Sequence, residues 1–178
     1  MDDDTLRAQL ERVAAYEAGR RSTVVNRVLQ RVGPTRPFVA VYRRLGPRID
    51  PWLNRVTRGQ AATKIYGFPA LILLSTGAKS GKPRTSPLVY VRDGDDFVVV
   101  GTNFGTEHHP GWTYNLDADP NAEIVVGEET VAVTAERADR AAFDRLWPAF
   151  VTVYAGMTKY RERLDREARM YLLHPTAR

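Results

Sequence analysis

Through the middle of this chain the apolar residues gather in short runs, each bounded by Gly, Pro, Asp or Asn, whereas near the amino terminus they recur at three- and four-residue steps. The first pattern suits half-buried strands and the second suits amphipathic helices. Strands are expected at 70–76, 84–92, 96–102, 121–127 and 130–136, with Met170 to Leu173 as a further candidate. Asp93-Gly94-Asp95 makes the link between the second and third a tight hairpin. Asn103 to Asp119, which contains Pro110, Gly111 and Trp112, should hold a short helical stretch. Ala138 to Tyr154 reads as a helix interrupted by Pro148, and Thr158 to Arg169 as another. Upstream, Thr5 to about Val32 carries Leu6, Leu10, Val13, Val24, Val28 and Leu29 on one face and stops at Gly33-Pro34. Pro37 to Leu45 and Pro47 to Val56 read as two shorter helices with proline in the first turn. Short strands joined by hairpins imply an antiparallel sheet that curls, so the expected class is α+β, a small barrel with flanking helices.

At 178 residues the chain is long enough for a core without staples. Its charge divides it. Residues 5–66 hold thirteen Lys or Arg against Glu11, Glu17 and Asp50, while 67–178 hold thirteen basic and fifteen acidic residues. The expected organisation is therefore basic amphipathic helices over 1–63 and the barrel over 64–178. A basic segment can meet an anionic membrane surface or an acidic ligand, and it is equally the exposed face of helices packed on a domain. The absence of cysteine excludes disulfides and thiol chemistry. Met1-Asp2-Asp3-Asp4 opens no signal peptide and no run is long enough to span a bilayer, so a cytoplasmic, soluble or peripheral protein is expected.

The densest chemistry lies at Gly77-Ala78-Lys79-Ser80-Gly81-Lys82-Pro83-Arg84, between the first two strands. Its glycines permit positive φ, and three cations and a hydroxyl surround them. Only three residues separate the glycines, and Lys82 leads into Pro83 and a strand, so it is not a nucleotide P-loop. No dinucleotide fingerprint follows a strand either. An anionic, phosphorylated ligand suits this turn, and so does a hairpin made basic for solubility. Gly101 to Pro110 forms a second loop rich in small residues at a strand end, where a flat ligand can approach the backbone. His108 and His109 are adjacent and so point apart, with no third ligand spaced near them, and no nucleophile–His–carboxylate set is evident. Trp147, Phe150 and Tyr154 follow helical spacing, which core packing explains first, although Tyr154 and Tyr160 carry phenols that can bond a substrate oxygen.

Taken in order, Leu73 to Arg84, Ser86-Pro87-Leu88, Asp93-Gly94, Thr102 to Gly105, Pro110-Gly111-Trp112, Asn115-Leu116 and Asp119-Pro120 resemble the deazaflavin-dependent nitroreductase family, split-barrel oxidoreductases that use coenzyme F420. The likeness covers about residues 64–175. It implies a split antiparallel β-barrel of the FMN-binding type with an amino-terminal helical extension. It also implies a cofactor with a flat redox-active ring and a phosphate-linked, acidic glutamyl tail. On that basis Lys79, Ser80, Gly81 and Arg84 match the phosphate side, with Ser86, Pro87 and Leu88 along the ring. Thr102, Asn103, Phe104 and Gly105 match a second ring-side loop, and Pro110, Trp112 and Asn115 stand beside the site. Thr102, Tyr154 and Tyr160 are the candidate catalytic hydroxyls, and Val89, Tyr154, Met157 and Tyr160 the candidate substrate pocket.

The implied reaction passes a hydride from C5 of the reduced deazaflavin to an electron-poor small molecule, a quinone, an enone or lactone, or an activated nitro compound. Val89 and Met157 stand where nitro-reducing members carry ring-side tyrosines, and Asn103-Phe104 where a Lys-Gly pair is common, so activity on nitroimidazoles is expected to be weak. The same barrel hosts FMN and haem, and a non-enzymatic cofactor carrier or a membrane-surface module is the reading from another class. Nucleic acid and metal are not expected, and the oligomeric state is left open.

Overall fold

Each hairpin in the barrel has a local reason to form. In the computed structural model, which describes residues 69–127 and 129–176, Gly94 closes the Asp93–Asp96 turn at φ 62° and Gly127 sits in the next such turn at φ 65°. The chain runs β1 (Ala70–Thr76), β2 (Pro83–Asp93), β3 (Asp96–Gly101), α1 (Gly111–Ala118), β4 (Asn121–Val126), β5 (Glu129–Arg137), α2 (Arg140–Val153), α3 (Gly156–Glu162) and β6 (Arg169–Pro175). A single turn of 3-10 helix, Asn103–Gly105, lies between β3 and α1. The strands close in the order β1-β2-β3-β6-β5-β4, all antiparallel, so the architecture is the α+β split barrel that the sequence implies. The helices expected over 1–63 lie outside the described residues, as does the start of the 64–178 unit.

Alternation along the strands sorts the apolar side chains into two cores. Leu71, Leu73, Phe97, Val99, Ile124, Val133, Tyr171 and Leu173 fill one, with Trp112 and Leu116 of α1 packed into it. On the other face of the same strands Val91, Val98, Val100 and Met170 meet Leu146, Trp147, Phe150 and Val153 of α2. Burying a Leu- or Phe-sized side chain contributes about 1.5–3 kcal/mol, so these two layers outweigh the exposed ion pairs. Asp93 receives both Nη atoms of Arg145 at 2.6 and 3.0 Å, which pins α2 to the β2–β3 hairpin.

Three expectations change. Pro148 does not interrupt α2, which runs unbroken over 14 residues. Proline removes the hydrogen bond to the Asp144 carbonyl, but both residues are exposed, so that carbonyl is not buried without a partner. The helix expected over 158–169 begins at Gly156 and ends at Glu162. Residues 163–168 instead cross to the barrel and deliver Arg169 opposite Gly101 in β6. Strand pairing thus overrides the strong helical propensity of Arg161 to Arg169. The last strand is correspondingly longer than Met170 to Leu173.

The barrel wall is interrupted on one side of β2. The β1–β2 ladder continues to Thr76↔Pro83, but the β2–β3 ladder stops at Tyr90↔Val99. Beyond it, β3 pairs with β6 and turns into the 3-10 segment. Residues 83–89 of β2 therefore border a seam, paired on the β1 side and without a β3 partner among the described residues. The Tyr90 N–H bonds the Pro69 carbonyl, so even-numbered residues of β2 direct their backbone groups to β1. Pro83, Thr85 and Pro87 face the seam, where proline loses no ladder bond.

Candidate functional site

The end of β1, the start of β2 and the end of β3 all lie at one end of the barrel, because consecutive strands are antiparallel. That end carries the basic turn. The Gly77 N–H donates to the Lys82 carbonyl at 2.9 Å, and the Ser80 and Gly81 N–H groups donate to the Gly77 carbonyl at 3.0 and 2.8 Å. Gly81 takes φ 62° with open space around it. A Cβ on Gly77 would stand 2.7 Å from Ser80 Oγ and 3.3 Å from Arg84 Nε, so a side chain here would displace both. Ser80 Oγ accepts from Arg84 Nη2 at 3.3 Å and from the Lys82 N–H at 3.4 Å. Lys79, Ser80, Gly81, Lys82 and Arg84 are all exposed.

Asn115, on α1, holds this turn against the barrel. Its Oδ1 accepts the Ala78 N–H at 3.0 Å, and its buried Nδ2 donates to Ser75 Oγ at 3.1 Å. The residue expected beside the site is thus an anchor for the turn's backbone, with Ser75 as a partner that spacing did not reveal. Trp112 enters the barrel core and packs edge-on to Tyr171 at 5.5 Å. Pro110 lies against Gly101, whose absent Cβ would stand 3.1 Å from the proline ring and 2.8 Å from Thr113 Cγ2.

The loop after β3 is built differently. Thr102 is buried, and Asn103, Phe104 and Gly105 follow with φ of 47°, 58° and 75°. Consecutive positive φ at a non-glycine pair is costly and persists only where surrounding bonds dictate it. Gly105 N–H donates to the Thr102 carbonyl, Thr106 Oγ1 to the Asn103 carbonyl, and Asn103 Nδ2 to the His108 carbonyl at 2.8 Å. A second set comes from far along the chain. Arg166 Nε donates to the Glu107 carbonyl at 2.9 Å, and its Nη2 to those of His108 at 3.0 Å and Thr102 at 3.4 Å. Arg166 Nη1 lies 2.8 Å from His109 Nδ1. Burial and the Arg166 cation lower the His109 pKa to about 4, so at neutral pH its Nδ1 accepts from the guanidinium.

Phe104 stands edge-on to Tyr160 at 5.8 Å and joins Val89, Tyr154, Met157 and Tyr160 in the outer core. The structure thus brings the expected substrate-pocket residues together beside the seam. Tyr154, Met157 and Tyr160 are only 7, 5 and 4% exposed, and the two phenol oxygens lie 3.3 Å apart. Burial pushes both phenols above the ordinary tyrosine range, so they are neutral hydrogen-bonding groups at physiological pH. No His, Asp or Glu cluster able to hold a metal occurs among the described residues.

An acidic cofactor with a flat ring fits these residues. The exposed cations and the glycine-bracketed turn suit a phosphate, and residues 83–89 of β2, without a β3 partner among the described residues, suit a planar group. Comparison with known proteins agrees. Residues 46–175 match the profile of the F420H(2)-dependent quinone reductase family. The F420H(2)-dependent quinone reductase Rv1261c of Mycobacterium tuberculosis is 37% identical over 123 residues, which span 67% of this chain and 83% of that protein. Among solved structures, an F420-H2-dependent reductase designated FDR-A superposes with a TM-score of 0.55 at 27% identity, over 60% of this chain and 94% of its own. A second, described as a domain-swapped dimer, gives 0.57 at 25% identity over 76% and 98%.

Proposed function

The chain belongs to the F420H(2)-dependent quinone reductase family and uses coenzyme F420, and from that premise we propose that it reduces quinones through the seam beside β2. The observation that carries this reading is the stretch of β2 without a β3 partner, bracketed by the cationic turn and the left-handed loop at one end of the barrel. When bound in reduced form, the deazaflavin supplies the hydride from C5. Lys79, Ser80, Gly81 and Arg84 would hold its phosphate end, and the backbone of Pro87 and Leu88 with Thr102 to Gly105 would line the ring. Val89, Phe104, Tyr154, Met157 and Tyr160 would exclude water and face the acceptor. Tyr154 and Tyr160 are neutral, and because their mutual bond uses one of the two phenol protons, the pair would offer at most one donor to an acceptor oxygen, with Thr102 as the other candidate hydroxyl.

Apolar Val89 and Met157 in the wall favour a hydrophobic quinone over a nitroimidazole, whose nitro group needs donors. The charge excess of residues 5–66 supports a peripheral contact with an anionic cytoplasmic membrane face, where lipophilic quinones reside. Titration with oxidised F420 and with FMN, followed by oxidation of F420H2 across quinone, enone and nitroimidazole acceptors, tests the reading. Tight F420 binding and fastest turnover with quinones are expected. FMN binding in place of F420, or nitroimidazole turnover equal to quinone turnover, would overturn it. Liposome sedimentation with and without residues 1–63 checks the membrane contact, and equal pelleting would remove it.

A further inference from the structure

The left-handed loop is held by a residue outside it. Successive positive φ values are unfavourable for the non-glycine members, Asn103 and Phe104, and need support from their surroundings. The loop's own bonds span at most five residues. Arg166, 57 to 64 residues downstream, places its guanidinium on the carbonyls of Thr102, Glu107 and His108 and on His109 Nδ1. Its planar fork thus joins both ends of the 102–109 segment. Burial depresses its pKa, yet it remains charged at any physiological pH. Hydrogen bonds from a cation are stronger than those between neutral groups, and several of them together offset the strain of the loop.

The neighbours of its partner His109 are tied together in turn. His109 packs edge-on to Tyr114, and Arg169 lies over that ring at 4.8 Å. Arg169 pairs with Asp117 at 2.7 Å, and Asp117 also accepts from the Tyr171 hydroxyl at 2.6 Å. The segment 163–168, which would be helix by propensity, is non-helical where it carries Arg166 to the loop.

The geometry points to Arg166 as the positioning residue that sets the loop in its left-handed form before cofactor arrives. This rests on the reading of Thr102 to Gly105 as a ring-side wall. It makes Arg166 a determinant of F420 affinity although none of its bonds reach the basic turn. A lysine keeps the charge and loses the fork, so it does not substitute.

The test compares the full chain with Arg166→Ala, Arg166→Lys and Arg166→Gln. In the cofactor-free protein, amide hydrogen exchange over residues 102–109 should rise about tenfold or more in each variant, while that of β1 to β6 stays unchanged. The F420 Kd, read by fluorescence quenching, should rise about tenfold or more, and millimolar guanidinium should restore part of the affinity in Arg166→Ala. Unaltered loop exchange, or an unaltered Kd in Arg166→Lys and Arg166→Gln, would overturn the proposal. Should Arg166→Ala fail to fold, the Lys and Gln variants carry the test. Lys79→Ala separates the two levels. If it weakens F420 binding while the Arg166 variants do not, only the positioning role fails; if none of them does, the cofactor-site reading fails.

Discussion

The two loops at one end of the barrel are built by opposite physical means. The Gly77–Arg84 turn is exposed, closed by bonds between near neighbours, and rich in solvated cations. The Thr102–His109 loop is half-buried, takes consecutive left-handed residues, and is stapled from 57 to 64 residues away. A phosphate is bound by charge and tolerates several geometries, whereas a reacting ring must be held within a fraction of an ångström. On the proposed reading, affinity and alignment fall to separate loops.

Glycine substitutions give the largest contrast. Gly105→Val adds a branched Cβ at φ 75°, 2.9 Å from Arg163 Cβ and 3.0 Å from the Tyr160 carbonyl. It should cost about 2–4 kcal/mol of stability by thermal melting and abolish F420 binding. Gly81→Ala, with φ 62° but open space, should cost only about 1 kcal/mol. Equal losses would mean that the two loops are equally constrained. Next, Lys79→Ala or Arg84→Ala should raise the F420 Kd by one to two decades, from about 1.5–3 kcal/mol per charge-assisted contact, with Tm unchanged. The wild-type Kd should also weaken with added salt, and less so in either variant, because exposed charges are screened. Normal binding by both variants would remove the anion site.

Asn115→Ala should cost about 1–2 kcal/mol, since it orphans the Ala78 N–H and the Ser75 hydroxyl while leaving the cations in place. Its F420 Kd should rise only a few-fold. A separate effect is with pH. His109 has a pKa of about 4 when folded against 6.5 in the unfolded chain, so between these values the unfolded chain binds the extra proton. Stability should therefore fall as pH drops from about 6.5 to about 4 and level below that. His109→Gln should flatten that part of the Tm–pH curve, and an unchanged curve would place the acid sensitivity elsewhere.

The barrel was readable because its strands are short, apolar and punctuated by Gly94 and Gly127, which are local signals. The basic turn was readable for the same reason, since its chemistry is contiguous in sequence. Arg166 was not, because one arginine in the charged run Arg161 to Arg169 looks like any solvated helix face. Its role exists only once β6 pairing pulls that run out of the helix. Asn115 was visible through the family resemblance, but its bonds to Ala78 and Ser75 span 37 and 40 residues and carry no periodic signature. Helical spacing points to core packing for Tyr154, whereas nothing in the spacing of Met157 and Tyr160 indicates that they are as nearly enclosed.

Pro83 and Pro87, which border the seam, also bear on self-association. An unzipped strand edge ordinarily invites a strand from another molecule, which is how sheets extend into aggregates. These two prolines offer no N–H on that side, so an incoming strand would find alternate rungs missing. A flat ring needs no ladder to dock there. Among the described residues, the edge that would admit a small molecule on the proposed reading is thus a poor template for a second polypeptide strand.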